Sequence, residues 1–292
     1  MSLQNFLISH RLRGFDLNDC TEVGLRNALS FGIKAIEFDT RITKDKRIVI
    51  NHDPHLYEQF GNKKFIHGLT LSEVKSLKFS KSNDQSILTL EECIAVCSEY
   101  KDKDFTLYLD IKQFFLLDYI YSTLIESGLL HKTVIVSWLP EVLKYFYSKD
   151  KSIELCFSFV PIKNRLQFGI LKATLSRKLI KTFITKTTNL FSNSKVFTYD
   201  QTIYLFNNYN NRLTSEPSII EKDYEHYVLG NLQGELLNTL QDVNGMVCIP
   251  VNNINEKVYA FYRSKNIKIS LFTVNTETEL LNLHKQFPEL FF

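Results

Sequence analysis

Four places in the chain set acidic, basic and imidazole side chains at spacings that could work together: His10-Arg11, Glu37-x-Asp39, His52-Asp53 and Asp110-x-Lys112. Residues two apart on a strand project to the same face. Glu37 and Asp39 can therefore converge on one ion, and Asp110 stands beside Lys112 in the same way. Three carboxylates without a thiolate partner make a hard oxygen donor set suited to Mg2+ or Ca2+. Such an ion would polarise a phosphoryl oxygen. Arg11 and Lys112 would add positive charge against a developing phosphorane, Arg11 through two donors and Lys112 as a point charge. His10 and His52 titrate near neutrality in their ordinary state, which suits a base and an acid.

Each member alone has a plainer reading. A histidine beside an arginine usually has no role, Glu-x-Asp often marks a solvated face, and Asp-x-Lys can be a simple ion pair. Ala35, Ile36 and Phe38 mark the strand of Glu37 and Asp39 as buried, however. Two buried carboxylates cost free energy unless paired or metal-bound. The signal lies in the joint order and spacing.

The elements that must position these residues follow from periodicity. An apolar run over Asn5 to Ser9 leads into His10. A helix over Thr21 to Phe31 is predicted from Val23, Leu25, Ala28 and Leu29, with Thr21 as cap and Gly32 as terminator. A strand over Ile33 to Asp39 completes a βαβ unit. Arg47 to Asn51 forms another short strand ahead of His52. Helical pieces near 70–78 and 89–100 open with capping-box spacings, Thr70 to Glu73 and Thr89 to Glu92. Strands at Phe105 to Asp110, Thr133 to Trp138, Ile153 to Ser158, Gly245 to Pro250 and Lys268 to Val274, with a helix at 114–127, continue the alternation. That pattern predicts an α/β fold on a parallel sheet, either closed or doubly wound. In a closed barrel, polar residues at the C-terminal strand ends form the site.

At 292 residues the chain has room for one barrel of about 250 residues with insertions. A net charge of +3 is too small to point to nucleic acid. The five cysteines include no C-x-x-C pair, which favours a reducing compartment. The run Phe6 to Ile8 is too short for a secretory core, and no apolar stretch reaches spanning length. The expectation is a cytoplasmic protein; its oligomeric state is not legible.

The quoted residues resemble the glycerophosphodiester phosphodiesterase family. The resemblance runs through Ser9-His10-Arg11, Ala28-Leu29-x-x-Gly32, Ile36-Glu37-Phe38-Asp39, Thr43-Lys44-Asp45 and Ile50-Asn51-His52-Asp53. It resumes at Leu107 to Lys112 and at Phe272-Thr273-Val274-Asn275. It implies a TIM-type (β/α)8 barrel, irregular at its last strand, with a small insertion after the second strand at 53–104 and another near 160–240, all within one domain. It implies one divalent cation on Glu37, Asp39 and Asp110, acid–base catalysis by His10 and His52, and phosphate contact by Arg11 and Lys112. Phe272 and Asn275 would belong to the substrate cleft. The implied reaction is hydrolysis of a glycerophosphodiester to glycerol 3-phosphate and an alcohol. The alternatives are a lysophospholipase D-type activity on lysolipids, or a non-catalytic barrel that binds phosphorylated glycans or lipids.

Four departures from the family pattern stand out. Leu12-Arg13-Gly14 intervenes where glycine usually follows His-Arg closely, Cys20 stands where the family has asparagine, Asp110 replaces glutamate, and Phe272 replaces tryptophan. The last strand is expected to be absent or reduced to Glu289–Phe292. Finally, residues 160–199 carry eight basic residues and no acid, with Leu171, Leu175, Leu179 and Phe183 at every fourth position. This predicts a basic amphipathic helix. It would either touch an anionic membrane peripherally through 165–190 or pack on the barrel with its lysines in solvent.

Overall fold

The computed structural model describes residues 6–62, 64–81, 84–161, 195–199, 202–206, 226–230, 232 and 234–292. Its frame is a nine-stranded sheet. Strands β1 (Ser9–His10), β2 (Ala35–Ile42), β4 (Thr106–Ile111), β5 (Thr133–Ser137), β6 (Glu154–Ser158), β11 (Met246–Pro250), β12 (Lys268–Phe272) and β13 (Leu290–Phe291) follow one another in parallel, and β3 (Ile48–Ile50) lies antiparallel on β2. The ring closes where β13 ends. The Ile8 amide donates to the Phe292 carbonyl at 2.6 Å, and the Phe292 amide donates to the Phe6 carbonyl at 2.8 Å. Eight parallel strands closed on themselves are a TIM-type barrel. The last strand is as short as the sequence suggests, yet it completes the ring.

Side-chain alternation along the strands sorts two environments. On β2, Ile36 and Phe38 point outward into the helical layer and are fully buried, while Ala35, Glu37 and Asp39 share the other face. On β4, Leu107, Leu109 and Ile111 point out and Tyr108 and Asp110 point in. The inner apolar layer consists of Ala35, Tyr108, Val134, Val136, Cys156 and Met246. The larger core lies between barrel and helices.

Helices α1 (Glu22–Phe31), α5 (Leu117–Glu126), α6 (Pro140–Lys149), α7 (Gly234–Asp242), α8 (Glu256–Ser264) and α9 (Glu277–Gln286) connect the strands. Helix α1 starts and stops as its sequence predicts. Thr21 Oγ1 accepts from the Gly24 amide at 3.0 Å, and Gly32 takes φ 89°, a conformation glycine adopts without steric cost. Its buried residues Leu25, Ala28 and Leu29 fall on one stripe. Between β3 and β4 lie α2 (Tyr57–Phe60), α3 (Leu71–Ser76) and α4 (Leu90–Glu99), and both expected capping boxes form on α3 and α4. The Val49, Leu56, Ile66, Leu69, Val74 and Ile87 side chains give this insertion its own small core.

A second sheet joins β7 (Val160–Pro161), β8 (Lys195–Tyr199), β9 (Thr202–Phe206) and β10 (His226–Gly230). The basic amphipathic helix expected within 160–199 falls on 162–194, outside the described residues. Among the described residues, no helix is long and apolar enough to cross a membrane. The cysteines are free, and Cys20, Cys93, Cys97 and Cys156 are buried.

Candidate active site

Strand β1 ends at His10, which stands in register with Glu37. The chain must then leave the barrel rim sharply. Arg11 and Leu12 do this with φ 56° and 58°, left-handed values that cost a non-glycine residue about 1–2 kcal/mol each. Leu12 adopts the conformation glycine favours and is fully buried. The turn is held by two bonds from the Arg11 amide, to the Glu37 carbonyl at 3.1 Å and to Glu37 Oε2 at 3.2 Å. It aims the Arg11 guanidinium inward, with Nε 3.2 Å from His10 Nε2 and 3.9 Å from Asp39 Oδ2.

His52 arrives by a different route. Strand β2 runs beyond the barrel and turns back as β3, pairing Ile42 with Ile48 and Thr40 with Ile50. The Asn51 amide then donates to the Asp39 carbonyl at 3.0 Å, which returns His52 to the level of the carboxylates. Two groups fix it there, Arg41, which the sequence reading did not single out, and Asp53, which it paired with His52 without a role. Arg41, fully buried, donates from Nε to the His52 carbonyl at 2.9 Å. Asp53 Oδ1 meets His52 Nδ1 at 2.8 Å. With Nδ1 engaged by a carboxylate, Nε2 is the nitrogen left for chemistry. The signal for Arg41 was present, since it continues the alternation of Glu37 and Asp39. The ring centroids of His10 and His52 lie 6.5 Å apart with planes at 87°.

Beside them, oxygens of Glu37, Asp39 and Asp110 lie within 4.8 Å of one another. Strand register explains this, because Asp39 sits directly beside Asp110. Lys112 Nζ approaches Asp39 Oδ1 to 2.8 Å and also contacts Asp110 Oδ2. Asp39 Oδ2 and Asp110 Oδ1 are buried with no hydrogen-bond partner. Such oxygens are costly to leave unfilled. Two unfilled carboxylate oxygens facing a third carboxylate fit a hard divalent cation. The shorter Asp110 reaches Lys112, so one lysine bridges the carboxylates of β2 and β4.

The electrostatics divide the group. Burial, with Asp39 and Asp110 nearby, pushes the Glu37 carboxyl well above its ordinary range. Burial opposes ionisation of Asp39 too, but Lys112, His52 and Arg11 outweigh it and hold Asp39 below the usual range. Burial prevails over Lys112 at Asp110, whose carboxyl is raised. Burial, reinforced by the Arg11 charge, lowers His10 to about 4. Burial lowers His52 as well, against the pull of Asp39 and Asp53.

These groups line one side of a cavity of about 340 Å3 inside the barrel mouth. The rest of the lining is mostly apolar, with Ile8, Val136, Met246, Leu271, Phe272 and Phe292 interrupted by Ser158 and Ser270. The structure therefore brings together His10, Arg11, Glu37, Asp39, His52, Asp110, Lys112 and Phe272. It does not bring Asn275 to them. That residue is exposed just ahead of α9, outside the cavity lining, and its amide donates to Glu279 Oε2 at 3.2 Å. The departure of Asn275 from the expected cleft follows from the chain turning outward after Phe272 to start α9.

The model of the Glycerophosphoryl diester phosphodiesterase family matches residues 10–167. A "Glycerophosphodiester phosphodiesterase" of Caldanaerobacter subterraneus subsp. tengcongensis is 30% identical over 115 residues, which cover 38% of this chain and 46% of that protein. The chain thus matches under half the length of that curated relative. Among solved structures, an Oleispira antarctica phosphodiesterase in complex with the product sn-glycerol-3-phosphate superimposes with a TM-score of 0.62 at 17% identity, covering 98% of this chain and 91% of that one. A glycerophosphodiester phosphodiesterase from Thermotoga maritima gives a TM-score of 0.56 at 15% identity, with 98% and 93% covered. These two likenesses establish the barrel fold.

Proposed function

Since the chain belongs to the glycerophosphoryl diester phosphodiesterase family, we propose that it hydrolyses glycerophosphodiesters to glycerol 3-phosphate and an alcohol with His10 and His52 as its acid–base pair. The observation that carries this reading is the pair of imidazoles 6.5 Å apart beside three clustered carboxylates, two of which hold unfilled oxygens. Glu37, Asp39 and Asp110 would hold one divalent cation, Mg2+ or Ca2+, which when bound supplies Lewis-acid polarisation of a phosphoryl oxygen.

The chain's own residues would divide the remaining work. Arg11 and Lys112 face the carboxylate cluster and offer positive charge to the phosphoryl oxygens. The two histidines differ in their neighbours. His10 Nε2 accepts from the Arg11 guanidinium, which disfavours a proton on that ring. His52 is backed by the Asp53 carboxylate, which stabilises its protonated form. We therefore assign His52 to deliver the proton to the leaving alkoxide and His10 to take one from the attacking oxygen. The apolar wall of the cavity favours a second reading within the same chemistry, in which a lysolipid is the diester. The protein would act in the cytoplasm in either case.

The test is product analysis on a panel of glycerophosphodiesters and lysolipids with Mg2+, Ca2+ or chelator. Release of glycerol 3-phosphate that stops on chelation is the expected result. Absence of hydrolysis across the panel with either ion would overturn the reading.

A further inference from the structure

We infer that Cys156, Cys248 and Met246 form a soft sulfur site for a monovalent thiophilic cation, Cu+, in the wall of the barrel cavity, distinct from the carboxylate cluster. The site goes beyond the diesterase reading and does not rest on it. Sulfur is concentrated here. The chain holds five cysteines and two methionines, one of them Met1. The other methionine and two of the cysteines line this one cavity from adjacent strands. Strands β6 and β11 run parallel, with Met246 in register with Cys156 and Cys248 in register with Ser158. Met246 and Cys248 are two apart on β11 and so share its inward face. Cys156 and Met246 belong to the inner apolar layer, and Cys248 packs against it. The Cys156 thiol interacts directly with that of Cys248.

Register decides against a disulfide. Cys156 and Cys248 are diagonal neighbours on the paired strands. Strands about 4.8 Å apart with a rise of about 3.3 Å per residue put such Cα atoms about 8 Å apart. A disulfide spans at most about 7 Å, and both thiols are free. A bridging ion lifts that limit by adding two bonds of its own. Zinc asks for four ligands in a tetrahedron. Among the described residues, no further His, Cys, Asp or Glu closes on the thiol pair as Glu37, Asp39 and Asp110 close on one another. Thiolate and thioether donors together select Cu+, an ion content with two or three ligands. Charge points the same way. Burial holds the Cys156 thiol well above its ordinary range, so it is protonated until an ion arrives. Cu+ that replaces one thiol proton forms an S–Cu bond, releases H+ and leaves the site neutral, with the second thiol and the thioether as neutral donors. A divalent ion making the same exchange would leave net charge beside Val134 and Val136, which such a wall disfavours. Cys248 is partly exposed and offers the way in from the cavity to Cys156 and Met246, which are buried.

The experiment titrates the full chain, reduced, under nitrogen and with excess Mg2+, with Cu+ supplied as its coloured bicinchoninate complex. Loss of that colour reads transfer to the protein. The expected result is transfer of a single equivalent, with growth of sulfur-to-copper absorption in the ultraviolet. Losing an outer-shell partner costs a metal site about 10- to 100-fold in affinity. Loss of a bonded thiolate should exceed that, so Cys156→Ser and Cys248→Ser should each weaken binding by about 100-fold or more, and Met246→Leu, which loses the weaker thioether, by about 10-fold. Cys93→Ser, in the buried thiol pair of α4, should leave binding unchanged. Thermal melting shows which variants fold, and Cys248→Ser, at the partly exposed position, decides alone if Cys156→Ser does not. Failure of the wild type to take Cu+, retention of the ion by the folded cysteine variants of this site, loss of it in Cys93→Ser, or its displacement by equimolar Zn2+ overturns the inference. Affinity unmoved in Met246→Leu strikes the thioether from the site. None of these readouts involves turnover, so the diesterase reading stands or falls separately.

Discussion

Arg41 and His52 are joined through the main chain: the buried guanidinium donates from Nε to the His52 carbonyl at 2.9 Å. A charged side chain that is 1% exposed is costly unless its donors are met. Here it fixes the hairpin that carries the His52 imidazole back to the barrel mouth. Arg41→Met should lower kcat by an order of magnitude or more with little change in KM, and should lower stability by about 1–3 kcal/mol from the carbonyl left unpaired. Steady-state kinetics beside urea unfolding check this; a variant that loses stability yet keeps kcat would reduce Arg41 to a structural role.

His10→Ala and His52→Ala should each cost about 10^2- to 10^4-fold in kcat, the usual contribution of a positioned proton carrier. Circular dichroism should show an unchanged fold. Wild-type turnover by either variant would refute the acid–base assignment.

Asp53→Asn keeps a hydrogen-bonding side chain beside His52 Nδ1 but removes the charge that stabilises its protonated ring. The pH at which kcat falls away on the alkaline side, where His52 loses its proton, should therefore move down. A pH profile superimposable on that of the wild type would show that Asp53 only shapes the loop.

The unfilled oxygens of Asp39 and Asp110 predict tight dependence on a divalent cation. Chelator should abolish turnover, and Mg2+, Mn2+ or Ca2+ should restore it. Asp39→Asn should weaken cation binding by at least an order of magnitude in calorimetry. Undiminished binding in that variant would move the ion elsewhere.

Stability should fall on acidification across a defined window. His10 is held at about 4 against an ordinary 6.5. Above 6.5 the ring is neutral in both folded and unfolded chains, so this group contributes fully. Between 6.5 and about 4 the unfolded chain takes up a proton that the folded site refuses, and folding loses free energy. Below about 4 both states are protonated and the loss from this group levels off. The His10 side chain is 40% exposed, so solvent screening keeps the slope below the full linkage value. The melting temperature of His10→Asn should decline less between pH 7 and 4.5 than that of the wild type; parallel declines would remove His10 as the cause.

By itself, the sequence determined many of the local elements and pointed to the side chains proposed to react. Thr21 and Gly32 bound α1, Thr70 with Glu73 and Thr89 with Glu92 close their capping boxes, and Ile36 and Phe38 place Glu37 and Asp39 on the opposite, inward face. These are short-range consequences of backbone chemistry and strand alternation. Helices α8 and α9 were not read. They carry caps at Asn255 and Thr276, and Val258, Tyr259, Tyr262 and Leu283 turn toward the core, but only Tyr262 is fully buried and the rest of each face stays partly in solvent. Tertiary structure alone decided the rest. Ring closure depends on Phe292 meeting Phe6 and Ile8, residues at opposite ends of the described chain. The hold of Arg41 on His52, the bridge of Lys112 between Asp39 and Asp110, and the outward turn that removes Asn275 from the cleft all depend on strand register and hairpin return. No spacing along the sequence encodes them, because each joins atoms brought near only when the barrel closes.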